Sequence, residues 1–271
     1  MPFEIHNQNG LVWLTSPLLD GVPHGFSTRQ GGVSAPPWDS LNLGPTRGDN
    51  PAAVEENYRR FCAAVHMDST RMVMSHQVHE DTVRVCTSAD CGKGLLRQRD
   101  YTADALITNE PNLPLVVFSA DCGTILLYDP EHKTIGAVHA GWRGCAAGIL
   151  EKAVAAMTTE YGSHPACIRA ALGPCIRQCC FETDENVPAA MTAALGDAAA
   201  PYMAQHGAKW HVDLTGLNRE WLLRAGLLPE HIDLSDLCTA CRPDLFWSHR
   251  KMGEQRGLQV AMISLPGGDC L

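Results

Sequence analysis

Two strand-like stretches of this sequence carry side chains that buried strands seldom contain. Residues 118–144 read FSADCGTILLYDPEHKTIGAVHAGWRG, with Asp121 and Cys122 in the first stretch and His139 in the second. A thiolate and an imidazole on neighbouring strands can bind one metal ion, or can act as a nucleophile and its general base. From this pair alone, a buried cysteine beside a hydrogen-bonded histidine is the favoured interpretation. Asp121 would serve either as a general acid or base or as a cap of the strand end.

The two stretches are predicted to form an antiparallel hairpin that turns at DPEH, residues 129–132. If the turn is symmetric about the bond between Pro130 and Glu131, Cys122 and His139 become direct cross-strand partners. Their Cα atoms would then lie roughly 4.5–5.5 Å apart, with both side chains on one face of the hairpin.

Two further histidines lie in SHQVH, residues 75–79. His76 and His79 differ by three positions, so on a strand they face opposite ways and only one of them can point inward. One of these imidazoles is therefore a candidate third donor.

Two arginines are candidates for binding an anionic substrate group. Arg143 follows His139 where a strand, a glycine and a predicted helix meet, and free backbone N–H groups at such a junction suit an anion. By position alone, a solvated surface arginine explains Arg143 about as well. Arg29 lies in STRQGG, residues 27–32, a glycine-containing loop of the sort that closes over ligands.

The elements that must position these residues mix strands and helices without a regular βαβ alternation. Helices are predicted from an Asn50 cap and Pro51 to about Val65, and over residues 144–162, 184–196 and 214–225. Strands are predicted at residues 11–14, once or twice within 71–86, three times within 104–140, at HIDLSDL and at 257–265. This mixture favours an α+β sandwich formed by one domain, residues 1–271.

Composition and charge argue against several kinds of partner. The chain has 271 residues, of which 45% are apolar and 19% charged, and a net charge of −9. That charge disfavours non-specific binding to nucleic acid or to an anionic membrane surface. No run of about eighteen apolar residues occurs, so no membrane span is expected, and MPFEIHNQNG lacks the features of a secretory signal. Nothing in the sequence indicates an obligate protein partner.

The twelve cysteines fit a reducing cytoplasm better than a secreted disulfide scaffold, because several of them lie in apolar stretches. CTAC, residues 238–241, has zinc-ribbon spacing but no matching second CxxC. Cys179 and Cys180 in CIRQCCFE match no ligand pattern. Structural cysteines are therefore the favoured interpretation at both places.

Eight blocks of the sequence resemble the YfiH-type family: HGFSTRQGGVS, SLNLG, QVH, ADALIT, SADC, HAGWRG, ALGPCI and CT…FWSHR. They run in family order from His24 to about Arg256, and QVH, ADC and HAGWRG are specific in combination. The resemblance implies a four-layer α/β/β/α sandwich with mixed sheets. It also implies a metal site formed by the side chains of His79, Cys122 and His139. His76 is not required by the family pattern and is interpreted as incidental.

Members of that family have been described as purine nucleoside phosphorylases, as laccase-domain polyphenol oxidases and as peptidoglycan editing factors. The resemblance implies a zinc-dependent phosphorylase for adenosine, inosine and methylthioadenosine, with adenosine deaminase activity. Its ligands would be a nucleoside and phosphate, with Arg29 and Arg143 as substrate-binding residues. Two nitrogens and one thiolate with an open fourth position resemble a catalytic Zn²⁺ site.

Three alternatives remain open at this point. The same site could edit a peptidoglycan precursor by hydrolysis. A metal-free thiol hydrolase is a second alternative, because the family is related to deamidase toxins that use a Cys–His pair. Copper-dependent phenol oxidation ranks low, since the twelve histidines include no His-x-His pair, although copper would bind such soft donors.

Overall fold

The computed structural model describes residues 3–267, so both ends of the predicted domain 1–271 lie outside the described residues. The strands are β1 (Glu4–Gln8), β2 (Leu11–Thr15), β3 (His24–Ser27), β4 (Val83–Val85), β5 (Ala105–Thr108), β6 (Leu115–Ser119), β7 (Gly123–Asp129), β8 (Thr134–Ala140), β9 (Arg169–Leu172), β10 (Glu182–Thr183), β11 (Met203–His206), β12 (Lys209–Val212), β13 (Ile232–Leu234) and β14 (Gln259–Ile263). The α-helices are α1 (Pro51–Ala64), α2 (Trp142–Ala146), α3 (Ile149–Tyr161), α4 (Asn186–Leu195), α5 (Leu214–Arg224) and α6 (His249–Met252).

Two large sheets pack face to face at the centre of the fold. The first has the strand order β1-β2-β3-β14-β6 and is antiparallel throughout. The second has the order β13-β9-β7-β8-β5-β4 and is mixed, because its two outer pairs are parallel. Alternate residues of β7 face opposite sides, so Leu126 packs toward the first sheet while Ile125 and Leu127 pack toward helices.

Helices cover both outer faces of this pair of sheets. Helix α1 begins after Asn50, whose side chain accepts a hydrogen bond from the Ala52 backbone N–H, and it packs Tyr58 and Phe61 on the first sheet. Helices α3, α4 and α5 pack on the second sheet. The layers therefore follow the order helix, sheet, sheet, helix, which confirms the predicted four-layer α+β sandwich. Within residues 3–267, no helix is long and apolar enough to cross a membrane.

Several sequence-based boundaries are wrong. The helix predicted over residues 144–162 is two helices, α2 and α3, because Gly148 adopts a left-handed conformation with φ 74°. The central block 104–140 holds four strands instead of three. Within 71–86, where one or two strands were predicted, the structure has one regular strand, β4.

In the hairpin between β7 and β8, the cross-strand partner of His139 lies two residues later than predicted. Thr124, not Cys122, is the cross-strand partner of His139, and Asp129 pairs with Thr134. The loop, residues 130–133, is centred one residue later than predicted, because the Asp129 carboxylate accepts backbone hydrogen bonds inside it and Lys133 takes a left-handed conformation. Cys122 consequently lies just before β7, outside the ladder.

Candidate metal centre

His79, Cys122 and His139 come together at one end of the second sheet. Their donor atoms all lie within 4.8 Å of one another, and the two imidazole centroids are 4.9 Å apart with the rings nearly perpendicular. Ligands of one zinc ion lie at bond lengths of about 2.0–2.3 Å. The three side chains can therefore bind a single ion with small adjustments.

The loop before β7 is held in the shape that presents Cys122 to the two imidazoles. Asp121 has a left-handed backbone, with φ 89°, which is unfavourable for a residue with a side chain unless its surroundings fix it. Its carboxylate accepts hydrogen bonds from the Thr239 hydroxyl at 2.6 Å and from the Arg250 backbone N–H at 2.7 Å. Both carboxylate oxygens are thus engaged in holding the end of the strand.

Gly141, which follows β8, closes the centre from the other side. A Cβ atom at this position would lie 3.1 Å from the Cys122 sulfur and 3.2 Å from His79 Cδ2. Any larger residue would therefore crowd the donor atoms. The glycine allows the backbone at the start of α2 to pass close to the thiol.

Asp104 is the residue that orients the centre, and the sequence reasoning missed it. Its buried carboxylate accepts a hydrogen bond from His139 Nδ1 at 2.8 Å. It also accepts the backbone N–H groups of Val78, His79 and Glu80 at 3.0–3.1 Å. One carboxylate therefore fixes the His139 ring with Nε2 free to bind a cation, and also shapes the segment that carries His79. An acidic residue directly before the buried strand ALIT was the available signal.

The ionisable groups of the centre stabilise one another's charged forms. Burial opposes ionisation of Cys122, but the His139 and His79 imidazoles outweigh it and lower the pKa of the thiol to about 6. Burial likewise opposes protonation of His139, but Cys122 and Asp104 raise the pKa of its imidazole to about 9. Hydrogen bonds from His139 and from backbone N–H groups overcome burial and hold the pKa of Asp104 below its usual value. The thiol is consequently prepared to act as a thiolate, the form that binds metals and attacks electrophiles.

Replacing Asp104 by asparagine is expected to weaken metal binding about 10–100-fold, because the amide cannot hold the ring of His139 as the carboxylate does. Competition with a chelator measures the effect. Asp129→Asn is the matched control, since Asp129 also accepts from a histidine Nδ1, that of His132 at 2.8 Å, but outside the centre. Equal metal affinities in the two variants would show that Asp104 has no orienting role.

The centre opens into a cavity of about 310 Å³, a size suited to a small-molecule ligand. His76 and His79 both line it, whereas a strand would have turned one of them away. The difference arises because residues 75–80 are not a strand: His79 has φ 63°, and Gln77 anchors the segment through two hydrogen bonds to the Phe118 backbone. The residues that line the cavity are Thr46, Arg47, Ser75, His76, Gln77, His79, Arg99, Phe118, Ser119, Ala120, Cys122, His139, Arg256 and Leu258.

Three arginines that the sequence reasoning did not select line this cavity: Arg47, Arg99 and Arg256. Arg256 is the most informative, because its buried Nε and Nη1 have no hydrogen-bond partner in the protein. Burial and the charge of Arg47 lower the pKa of its guanidinium. Buried donors of this kind normally find an acceptor, so Arg256 is suited to an anion that enters the cavity.

The two arginines selected from the sequence lie elsewhere. Arg29 donates hydrogen bonds to the backbone carbonyls of Asp39 and Pro243, and its guanidinium lies 4.1 Å from the centroid of the Trp247 ring. It therefore fixes its own loop. Arg143 is exposed and its guanidinium lies 4.4 Å from the centroid of the Trp142 ring. Neither side chain lines the cavity of the candidate centre.

Comparison with known proteins decides the family. A sequence model described as "Multi-copper polyphenol oxidoreductase laccase" matches residues 23–266. The purine nucleoside phosphorylase YfiH of Escherichia coli strain K12 is 39% identical over 235 residues, which cover 87% of this chain and 90% of that protein. The chain belongs to the YfiH-type family. This confirms the resemblance that the sequence blocks indicated.

Other YfiH-type proteins agree in sequence and in fold. The purine nucleoside phosphorylase YlmD of Bacillus subtilis strain 168 is 36% identical over 248 residues, covering 89% of this chain and 87% of that protein. The crystal structure of YlmD from Geobacillus stearothermophilus superposes with a TM-score of 0.93 at 31% identity, covering 98% of this chain and all of that one. The YfiH-type fold therefore extends over almost the whole chain.

Proposed function

We propose that this protein is a zinc-dependent purine nucleoside phosphorylase that cleaves adenosine, inosine and methylthioadenosine, with adenosine deaminase as a companion activity. The observation that carries the proposal is one shared cavity. It contains both the His79–Cys122–His139 centre and the guanidinium of Arg256, whose buried Nε and Nη1 have no hydrogen-bond partner in the protein. A nucleoside and a phosphate ion must meet for phosphorolysis, and the names of the E. coli and B. subtilis relatives support this class of reaction.

The donor set of the centre suits zinc. His79, Cys122 and His139 would hold the ion through two nitrogens and one thiolate, a set that leaves a fourth position for substrate. When bound, zinc supplies Lewis acidity toward an oxygen or nitrogen atom of the substrate. Copper also binds soft donors of this kind, so copper in a preparation would not by itself indicate redox chemistry.

Arg256 and Arg47 are proposed to bind phosphate in place of Arg29 and Arg143. Arg256 has free buried N–H groups, and Arg47 is fixed beside it by hydrogen bonds to the backbone of Arg256 and Glu254. Two guanidinium groups on one wall hold an anion in a fixed orientation and offset charge as it develops. A phosphate oxygen then forms a bond to ribose C1′ while the bond from C1′ to the purine nitrogen breaks, and the base leaves with the electron pair.

The remaining wall of the cavity suits the nucleoside itself. Phe118 and Leu258 provide apolar surface there, while Ser119 and His76 provide polar atoms. A purine has apolar faces and polar edges, so this mixture fits it better than it fits a purely charged ligand. Deamination of adenosine would use the same binding surface but requires no phosphate.

A metal-free thiol hydrolase is the second candidate, and one observation favours it. Asp104, His139 and Cys122 form a chain in which the carboxylate orients the imidazole and the imidazole lies beside a thiol of lowered pKa. Cysteine hydrolases use the same order of residues. Editing of a peptidoglycan precursor by hydrolysis would also use these side chains, with or without a metal.

Copper-dependent phenol oxidation has less support. Multicopper chemistry requires several linked copper sites rich in histidine. Among residues 3–267, two groups of three or more His, Cys, Asp or Glu side chains are placed to hold a metal, and only one contains histidine. The centre described above therefore suits one ion.

Inosine turnover with and without phosphate tests the proposed function. The zinc-loaded protein is expected to release hypoxanthine only when phosphate is present, because phosphate is the nucleophile. Chromatographic separation of inosine and hypoxanthine measures the rate. Release at an undiminished rate without phosphate would indicate a nucleoside hydrolase, and failure to cleave any purine nucleoside would leave the hydrolytic alternatives.

A further inference from the structure

A second group of thiols lies outside the candidate metal centre. Cys179 and Cys180 come from CIRQCCFE, and Cys238 and Cys241 come from CTAC. Their four sulfur atoms all lie within 4.8 Å of one another. The separation is 3.4 Å between the sulfurs of Cys180 and Cys241, and 3.6 Å between those of Cys179 and Cys241. We call these residues the four-cysteine cluster.

The sulfur separations are those of a metal site. A disulfide requires about 2.05 Å between sulfurs. Four thiolates at about 2.3 Å from a tetrahedral zinc ion lie about 3.8 Å from one another. The observed separations fall around the second value. We propose that the four-cysteine cluster binds one structural Zn²⁺ ion, and this inference is independent of the proposed function.

Backbone groups around the cluster are arranged for thiolates. The Arg177 N–H donates to the sulfur of Cys238 at 3.4 Å. The backbone N–H groups of Ala240 and Cys241 also lie within hydrogen-bonding reach of this sulfur. Such N–H···S hydrogen bonds stabilise a sulfur that carries negative charge.

The rest of the cluster needs a cation in order to ionise. The four sulfurs lie within 4.8 Å of one another, and each thiolate in such a group makes it harder to form the next one. After one thiol of the cluster has ionised, ionisation of the others is therefore unfavourable. A divalent cation makes ionisation of the remaining thiols favourable, because each additional thiolate then forms a bond to the ion. Cys179 and Cys241 are exposed, so an ion can enter from solvent.

The cluster joins two segments that hold the candidate metal centre in place. Thr239, between the two cysteines of CTAC, donates to the Asp121 carboxylate, and the backbone N–H of Arg250 donates to the other oxygen. The Arg250 guanidinium in turn donates to the carbonyl of Cys180 at 2.9 Å. A zinc ion in the cluster would fix both segments and, through Asp121, the loop that presents Cys122.

Cobalt binding tests the proposal in a protein that lacks the first centre. In the double variant His79→Ala, Cys122→Ser, two of the three donors of that centre are gone and the cluster is intact. This variant is expected to bind one Co²⁺ per chain, with the thiolate-to-cobalt charge-transfer band and the strong visible bands of a tetrahedral four-thiolate site. Zn²⁺ should displace the Co²⁺ and abolish these bands.

Adding Cys241→Ser to the double variant should remove the four-thiolate spectrum, whereas adding Cys167→Ser should leave it unchanged. Cys167 is the matched control because it is a partly exposed cysteine outside both groups. Absence of Co²⁺ binding in the double variant would overturn the proposal.

A measurement on the unmodified protein covers the case in which the variants do not fold. In the zinc-loaded native protein the exposed Cys179 and Cys241 should resist alkylation until a chelator is added, and alkylation in denaturant without reductant should find all four cysteines of the cluster free. Alkylation of Cys179 and Cys241 that does not respond to the chelator, or a disulfide within the cluster, would also overturn the proposal.

Discussion

Replacing Cys122 by alanine is expected to remove the metal from the candidate centre and to abolish both phosphorolysis of inosine and deamination of adenosine. Cys122 supplies the single thiolate of the centre, and only the two imidazoles of His79 and His139 would remain as donors. The loss of metal affinity should exceed the roughly 10–100-fold effect of removing an outer-sphere partner such as Asp104. Zinc analysis and assays of the two reactions on the same preparation measure both effects.

Cys62→Ala is the control for this variant, because Cys62 is buried in α1 and contacts Met72 away from the centre. It should keep its metal content and both activities. Chelation should inactivate the unmodified protein, and zinc should restore it. If activity instead survives complete chelation and disappears on alkylation of Cys122, the Asp104–His139–Cys122 hydrolase replaces the zinc-dependent account.

Replacing Arg256 by alanine should lower the rate of phosphorolysis about a hundredfold to a thousandfold while leaving the metal in place. The loss of one preorganised charge-assisted donor commonly costs about 2.7–4 kcal/mol of transition-state stabilisation. Adenosine deamination should suffer much less, since it requires no phosphate. The thermal stability of the protein should not fall, because the buried Nε and Nη1 of Arg256 have no hydrogen-bond partner in the protein to lose. Rates for both reactions, zinc content and thermal unfolding measure these expectations.

Arg143→Ala is the matched control for Arg256→Ala. Arg143 is an arginine near the centre in sequence, but it is exposed and contacts Trp142. Its removal should change phosphorolysis by no more than a few-fold. If Arg143→Ala loses phosphorolysis and Arg256→Ala does not, the junction after β8 binds the phosphate, as its sequence first suggested. Equal loss of both reactions in Arg256→Ala would also contradict the phosphate role.

The sequence predicted correctly those structural features that depend on interactions between residues a few positions apart. The Asn50–Pro51 start of α1 could be predicted because a cap and an N-terminal proline act within one turn. The four-layer sandwich followed from the family resemblance. The register of the hairpin could not be predicted, because it depends on how the Asp129 carboxylate organises a four-residue loop.

The residues of the candidate site also fall into a group that sequence motifs predicted and a group that they missed. His79, Cys122 and His139 were selected from family motifs, and the structure brings their donor atoms together. Asp104 and Arg256 were missed because each acts across a long sequence distance, on His139 in one case and on a cavity formed by separate segments in the other. The four-cysteine cluster was missed for the same reason, since its two pairs of cysteines are far apart in the sequence and meet only in the fold.

The sugar released from inosine tests the central claim most directly. In the presence of phosphate, phosphorus NMR of the reaction should show ribose 1-phosphate appearing in the same amount as hypoxanthine. The sugar phosphate should form because phosphate held by Arg256 and Arg47 attacks C1′. Free ribose in equal amount to hypoxanthine, with no sugar phosphate formed, would contradict the account and assign the cavity to hydrolysis.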